Sequence, residues 1–258
     1  MIYTFVKQAD IPSQMGPART AALQLNILSM IQYAGGGHLG SSLSALPIYE
    51  ALVGAGQIVS SKGHDSAAVY AVSHSKLGLP DAELLRFRQP NGLPGHPERG
   101  RDWIVSTGSL GMGLSKAVGL ALADRTRRVF CVVGDGECQE GQVWEAAQHA
   151  ARARLENLVV IIDANGYQSE GPIPVPGDRE PFGPFKAACW TCYPTSSGLP
   201  TQYAPGWPTC VLWHTTKGGG LPHWSHSGAL YPAEYFANKA HLRQFYAGPG
   251  WECAGTGQ

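Results

Sequence analysis

Two polar groups sit where chemistry can be done. Asp135 lies in Gly134-Asp135-Gly136-Glu137, and Asn165 follows thirty positions later in Asp163-Ala164-Asn165-Gly166-Tyr167. The apolar run Val129 to Val133 leads into the first group, and Leu158 to Ile162 leads into the second. One helix-length segment separates them. This order places two oxygen ligands side by side, just past the carboxyl ends of two buried strands. One carboxylate and one amide carbonyl make an incomplete oxygen cage. Such a cage suits Mg²⁺, which keeps part of its octahedral shell for phosphate and water. A backbone carbonyl near Tyr167 would add a third ligand. Gly134 and Gly136 let the backbone approach phosphates closely. Glu137 and Glu140 would repel a diphosphate from the entrance of the next helix, so they are expected to point elsewhere.

Three histidines sit in glycine-bearing loops: Gly37-His38-Leu39-Gly40, Lys62-Gly63-His64 and Gly95-His96-Pro97. Imidazole can donate to a sugar hydroxyl or a phosphate and can move a proton near neutral pH. Their shared context points to one polar site. His74, His149 and His241 are taken as structural. Thr107-Gly108-Ser109-Leu110-Gly111-Met112-Gly113 is a glycine-rich loop running into a helix, a pattern that can cradle phosphate.

The elements that must position these groups follow from periodicity. Leu23, Ile27, Met30 and Ile31 predict an amphipathic helix over 16–34. Further helices are predicted over 43–53, 66–77, 81–87, 111–123 and 139–153. Strands are predicted over 129–133, 158–162 and 209–214. The strand–helix–strand order predicts a parallel sheet with a right-handed crossover. Nine prolines within 166–208 argue against long helices or central strands there. The fold class is therefore α/β, a mostly parallel sheet flanked by helices. Residues 1–246 are expected to form one domain, and 247–258 a glycine-rich, frayed tail.

Composition narrows the function. With 19 basic and 19 acidic residues the formal net charge is zero, which gives no reason to expect nucleic acid or an anionic membrane as partner. No apolar run approaches the length of a membrane-spanning helix, and Met1 to Asp10 lacks the pattern of a secretory leader, so a cytoplasmic protein is expected. The six cysteines are scattered and do not form a disulfide framework. Cys189-Trp190-Thr191-Cys192 is a lone CxxC without a completing second pair, and two reduced thiols are expected there.

In combination these motifs are specific. Gly36 to Ser44 (GGHLGSSLS), Ser61-Lys62-Gly63-His64, Gly95-His96-Pro97-Glu98, Ser106 to Gly113 (STGSLGMG) and Gly134 to Ala147 (GDGECQEGQVWEAA) fall in one order. Asn165-Gly166-Tyr167-Gln168 and Thr216-Lys217-Gly218 continue it. Across about residues 19–230 the chain resembles the diphosphate-binding, N-terminal part of transketolases, and most the separately encoded N-terminal subunit of split transketolases. The resemblance implies thiamine diphosphate with Mg²⁺ or Ca²⁺. Asp135, Asn165 and the Tyr167 carbonyl would be the metal ligands. The implied cofactor contacts are His64, Gly108, Ser109 and Leu110, the turn Gly134, Asp135, Gly136 and Glu137, and Asn165, Lys217 and His226. His38, His64 and His96 would line the substrate channel as catalytic residues, with His96 near the donor's hydroxymethyl end. Glu140 and Glu145 would match acids at a subunit interface.

The family's aminopyrimidine-activating glutamate sits on a second, pyrimidine-binding domain, for which nothing after residue 230 is long enough. The chain is therefore expected to act only with a separately encoded C-terminal subunit, in an α2β2 heterotetramer. It would transfer a two-carbon ketol unit from a ketose donor to an aldose. Two segments depart from the family pattern: the stretch between Tyr49 and Ser61, and the proline-rich 176–208, both of which look shortened. The trimming raises a specialised acceptor, such as an acyl carrier-protein thioester in secondary metabolism. The alternatives are a subunit of a 2-oxo acid dehydrogenase or decarboxylase, and a non-catalytic partner-binding subunit.

Overall fold

A computed structural model of the chain describes residues 5–99, 104–168, 171–173, 182–195, 198–222 and 232–245. The chain divides into two compact units interleaved along the sequence. One comprises residues 47–63 and 96–217, the other residues 1–46, 64–95 and 218–258.

The first unit is built on a five-stranded sheet. Its strands are β1 (Gln57–Ser60), β2 (Val129–Gly134), β3 (Leu158–Ala164), β6 (Thr191–Thr195) and β7 (Thr209–His214), in the order β1-β2-β3-β7-β6. Every pairing is parallel, as the strand–helix–strand order predicts. β2 and β3 are continuous apolar runs because both faces of a parallel sheet are covered. On one face Val129, Cys131 and Val133 of β2 and Leu158, Val160 and Ile162 of β3 share a core. Helices α5 (Met112–Ala123), α6 (Gly141–Arg152) and α7 (Gly183–Ala187) pack onto it. A short 3-10 segment, Gly136–Gln139, joins β2 to α6, so α6 starts two residues later than expected.

Where α5 meets the end of β1 the approach admits only glycine. A β-carbon on Gly113, in the first turn of α5, would lie 2.4 Å from Ser61 Cα, which is backbone and cannot yield. Gly113→Ala is therefore expected to lower stability by roughly 1–3 kcal/mol, read as a fall in the urea midpoint.

β1 went unassigned from the pattern because it is four residues long and half-exposed at its start. The stretch 166–208 holds a two-residue hairpin, β4 (Tyr167–Gln168) with β5 (Gly171–Pro172), then α7 and β6. Among the described residues of this stretch there is no long helix and no central strand: α7 has five residues, and β6, which contains Pro194, lies at the sheet edge. Cys192 and Cys210 are register partners on β6 and β7, and all five described cysteines are free thiols.

The second unit is helical. It holds α1 (Pro17–Tyr33), α3 (Ser66–Leu77), α4 (Asp81–Leu84) and α8 (Pro232–Leu242), with α1 packed on α3 and α8. α2 (Leu39–Leu52) begins four residues earlier than predicted and runs across the division of the units at Pro47. α1 departs from the amphipathic expectation: it is buried almost continuously from Arg19 to Ile31. Its polar residues earn that burial through hydrogen bonds. Asn26 both accepts from Val6 N and donates to Val6 O, and Gln24 donates to Gly219 O. His74 is structural as expected, fully buried with Nδ1 on Leu79 O at 2.7 Å. Among the described residues no helix is long and apolar enough to cross a membrane.

Candidate active site

In a parallel sheet all strands end on one side, and the motif residues collect there. Ser61 and Lys62 follow β1, Asp135 follows β2, Asp163 and Asn165 close β3, and Thr215 and Lys217 follow β7. Asp135 is nearly fully buried, and both of its carboxylate oxygens accept backbone amides. Gly136 N lies 2.9 Å from Oδ1 and Gly166 N 2.6 Å from Oδ2. The second bond joins the two motifs seen in the sequence and brings Asn165 beside Asp135. Asn165 Oδ1 accepts Tyr167 N at 3.1 Å, and its Nδ2 donates to Asp163 Oδ2 at 3.2 Å. Tyr167 faces Pro172 in the hairpin, and Ile173 N donates to Gly166 O.

Electrostatics mark the same corner. Burial pushes the Asp135 carboxyl up to about 6; the nearby Asp163 charge adds to this, while the Gly166 and Gly136 amides and Lys62 oppose it. Lys217 is held below its usual value, first by burial and then by Lys62, against the pull of Asp163 and Asp135. Two cations and two carboxylates thus share one poorly hydrated place. A divalent cation and a diphosphate would shift that balance strongly.

Glu137 is occupied differently. Its Oε1 accepts Ser61 Oγ at 2.5 Å and Gly111 N at 2.7 Å, and its Oε2 accepts Gly134 N at 3.0 Å. The carboxylate therefore ties the end of β1, the glycine-rich loop and the end of β2 together. Glu140 and Glu145 are exposed on the start of α6.

The glycine-rich loop is fixed from its other side. Thr107 N donates to Pro97 O, and Arg99 N to Ser106 Oγ, so this loop and the Gly-His-Pro-Glu loop run together. The exposed His96 lies against Gly108, whose φ of 135° and missing β-carbon admit the ring: a β-carbon there would meet Cδ2 at 3.2 Å. Ser109 and Leu110 are exposed. Thr107 Oγ1 is buried without a hydrogen-bond partner among the described residues.

In the helical unit, His38 and His64 form a second polar group. Their ring centroids are 5.0 Å apart, and His64 Nε2 lies 3.1 Å from Ser41 Oγ. His38 is exposed and His64 half-buried. His226 and the tail 247–258 lie outside the described residues.

Lys62, Asp163, Thr215 and Ser61 were not singled out from sequence. Asp163 lies two positions before Asn165, at the end of β3, and that spacing was the signal available.

The family model for the transketolase thiamine diphosphate binding domain matches residues 18–199. The chain belongs to the transketolase family. It is 31% identical over 245 residues to the 6-deoxy-6-sulfo-D-fructose transketolase subunit SqwG of Clostridium sp. (strain MSTE9), covering 83% of this chain and 87% of that one. It is 37% identical over 174 residues to the Mus musculus transketolase, covering 59% of this transketolase-family chain but 28% of the mouse protein. With the Pongo abelii transketolase it shares 42% identity over 126 residues, 20% of that protein's length. In fold it is similar to the Campylobacter jejuni transketolase, with a TM-score of 0.73 over 89% of this chain and 43% of that one, at 23% identity.

The oxygen donors present fit a hard cation carrying a diphosphate. They comprise one buried carboxylate and one oriented amide carbonyl, and among the described residues no cluster of three His, Cys, Asp or Glu side chains offers a rival cage.

Proposed function

We propose that this chain is the diphosphate- and metal-binding subunit of a two-component transketolase, moving a two-carbon ketol unit from a ketose or ketose phosphate to an aldose. The observation that carries the reading is the Gly166 N to Asp135 bond, which sets an amide carbonyl donor beside a buried carboxylate at the ends of adjacent strands. Asp135, Asn165 and the Tyr167 carbonyl would hold Mg²⁺ or Ca²⁺. The turn 134–137, Lys217, His64, His226 and the loop 108–110 would hold thiamine diphosphate, which supplies an electron sink for the carbanion left when the ketose is cleaved. His38, His64 and His96 would hydrogen-bond the sugar oxygens and hold protons there. The free thiols fit a reducing, cytoplasmic setting.

The likeness to a relative that is itself called a subunit, over most of both chains, supports a separate partner chain; that partner would be the pyrimidine-binding subunit, in an α2β2 assembly. Glu140 and Glu145, both exposed, would lie at its interface. The expected result is ketose-dependent turnover with Mg²⁺ and thiamine diphosphate when the two chains are mixed, and none with either alone. Turnover by this chain alone would sink the two-component reading. An acyl carrier-protein thioester is the alternative acceptor, and product analysis with each acceptor separates the two.

His96→Ala is expected to lower donor kcat/KM about 100-fold or more while cofactor affinity stays within a few-fold. Steady-state kinetics beside titration calorimetry measure both, and an unchanged donor kcat/KM removes His96 from the role.

A further inference from the structure

An asparagine amide has an oxygen end and a nitrogen end of nearly equal shape, and only the oxygen can ligate a cation. A half-turn about the last side-chain bond exchanges them. An asparagine that serves a metal therefore needs something to fix which end faces it.

Asp163 meets that need. Its Oδ2 takes Asn165 Nδ2 at 3.2 Å. A carboxylate only accepts, so the NH₂ end is the one that can face it. Asn165 Oδ1 is thereby turned to the opposite side, where Tyr167 N reaches it.

Asp163 is fully buried and is itself held on both oxygens. Lys62 Nζ lies 2.5 Å from Oδ2, and the Thr215 hydroxyl donates to Oδ1. Lys62 is 1% exposed and comes from the end of β1, two strands away in the sheet order. Its stem crosses the end of β2 at Gly134, where a β-carbon would sit 4.0 Å from Lys62 Cδ. A buried ion pair is a weak source of stability, because desolvation offsets most of the attraction, and an apolar pair of equal volume is often as stable. A pair built across three strands, with its free oxygen capacity spent on one amide and one hydroxyl, has its use in orientation.

We propose that Lys62, Asp163 and Thr215 form a positioning device that keeps the Asn165 carbonyl oxygen, and not its NH₂, toward the cation. This rests on the reading of Asn165 as a cation ligand. Asp163 sets the polarity of the amide, Lys62 balances the buried charge, and Thr215 fixes the carboxylate plane.

The test is a Mg²⁺ titration of thiamine diphosphate binding to the assembled two-chain complex, followed by calorimetry, with the thermal midpoint recorded in parallel. Lys62→Met/Asp163→Leu removes both charges at similar volume. It is expected to keep a thermal midpoint near wild type and to raise the Mg²⁺ midpoint by about 10- to 100-fold, the usual cost of losing a ligand's supporting partner. Adding Asn165→Asp in that background is expected to bring the Mg²⁺ midpoint back toward wild type, because a carboxylate has no wrong end. The same Asn165→Asp change made alone is expected to raise it, because it sets a second carboxylate against Asp163. A merely structural pair would not produce this reversal of sign.

An unchanged Mg²⁺ midpoint in Lys62→Met/Asp163→Leu, or Asn165→Asp acting in one direction in both backgrounds, overturns the proposal. If the double variant lacks a cooperative thermal transition, Asp163→Asn carries the test. Its amide can offer Asn165 either end, so a rise of about tenfold is expected, and an unchanged midpoint overturns the proposal. A wild-type complex that shows no Mg²⁺-dependent binding at all defeats the functional reading instead.

Discussion

Asp135→Ala is expected to abolish Mg²⁺-dependent thiamine diphosphate binding in the assembled enzyme, by ~10³-fold or more, and ketose turnover with it. On the proposed reading Asp135 would be the one charged ligand of the cation, so its loss would remove most of the cation's hold on the site. The change leaves the Gly136 and Gly166 amides without an acceptor but also removes a buried carboxyl, so the two effects on stability oppose each other. Asp135 is buried, and burial raises its carboxyl from the ordinary 3.8 to about 6. A raised acid binds a proton in the folded state that the unfolded chain has already released. Its contribution to stability is therefore full below about pH 4 and is lost as pH rises through about 6. At pH 7 that rise amounts to roughly 3 kcal/mol against folding.

In EDTA the wild-type chain is thus expected to lose stability between about pH 4 and 6, and Asp135→Asn to lose less across the same window. Asparagine keeps the shape but offers only one acceptor oxygen to the Gly136 and Gly166 amides, so part of its gain at pH 7 is given back. Chemical denaturation at pH 4, 5, 6 and 7 reads this directly. Wild-type turnover or Mg²⁺-dependent binding in Asp135→Ala would contradict the metal assignment.

What the sequence showed and what it hid have a common physical cause. β2, β3 and β7 were readable because strands buried on both faces leave long apolar runs. β1 and β6 were not, since edge strands need only four or five residues and tolerate a proline. The periodicity of α1 pointed to one buried face, whereas Gln24, Asn26 and Ser29 are buried as well. Hydrogen bonds reaching as far as Val6 and Gly219 make that possible, and no local pattern encodes them.

The same holds at the site. Asp135 and Asn165 stood out because each ends an apolar run. Asp163 lies in the motif of Asn165 and Lys62 in Ser61-Lys62-Gly63-His64, but what joins them is a contact 101 positions apart. The joint position of His38 and His64 was foreshadowed only by their similar glycine contexts.

Glu137 offers the sharpest contrast between motif and contact. It sits in the middle of the diphosphate turn, so sequence counts it among cofactor contacts, yet its carboxylate faces Ser61 Oγ and the amides of Gly111 and Gly134. Burial still raises its carboxyl above the usual value, although all three bonds and Lys62 oppose the rise. Glu137→Ala leaves a hydroxyl and two buried amides without an acceptor. At about 1–3 kcal/mol for each orphaned donor, partly offset by removing a buried charge, a net loss of roughly 3 kcal/mol is expected. For a chain of this size that is a fall of about 6–12 °C in Tm. Glu137→Gln should fall between, because its NH₂ must face one of the amide donors it replaces an acceptor for.

Cofactor binding is expected to weaken in step with stability across this series, since the carboxylate acts by holding the glycine-rich loop beside the β2 turn. Thermal melts and calorimetry on the three proteins decide the matter. A series in which affinity collapses while Tm stays constant would assign Glu137 to the cofactor directly, and the loop-holding role would be lost.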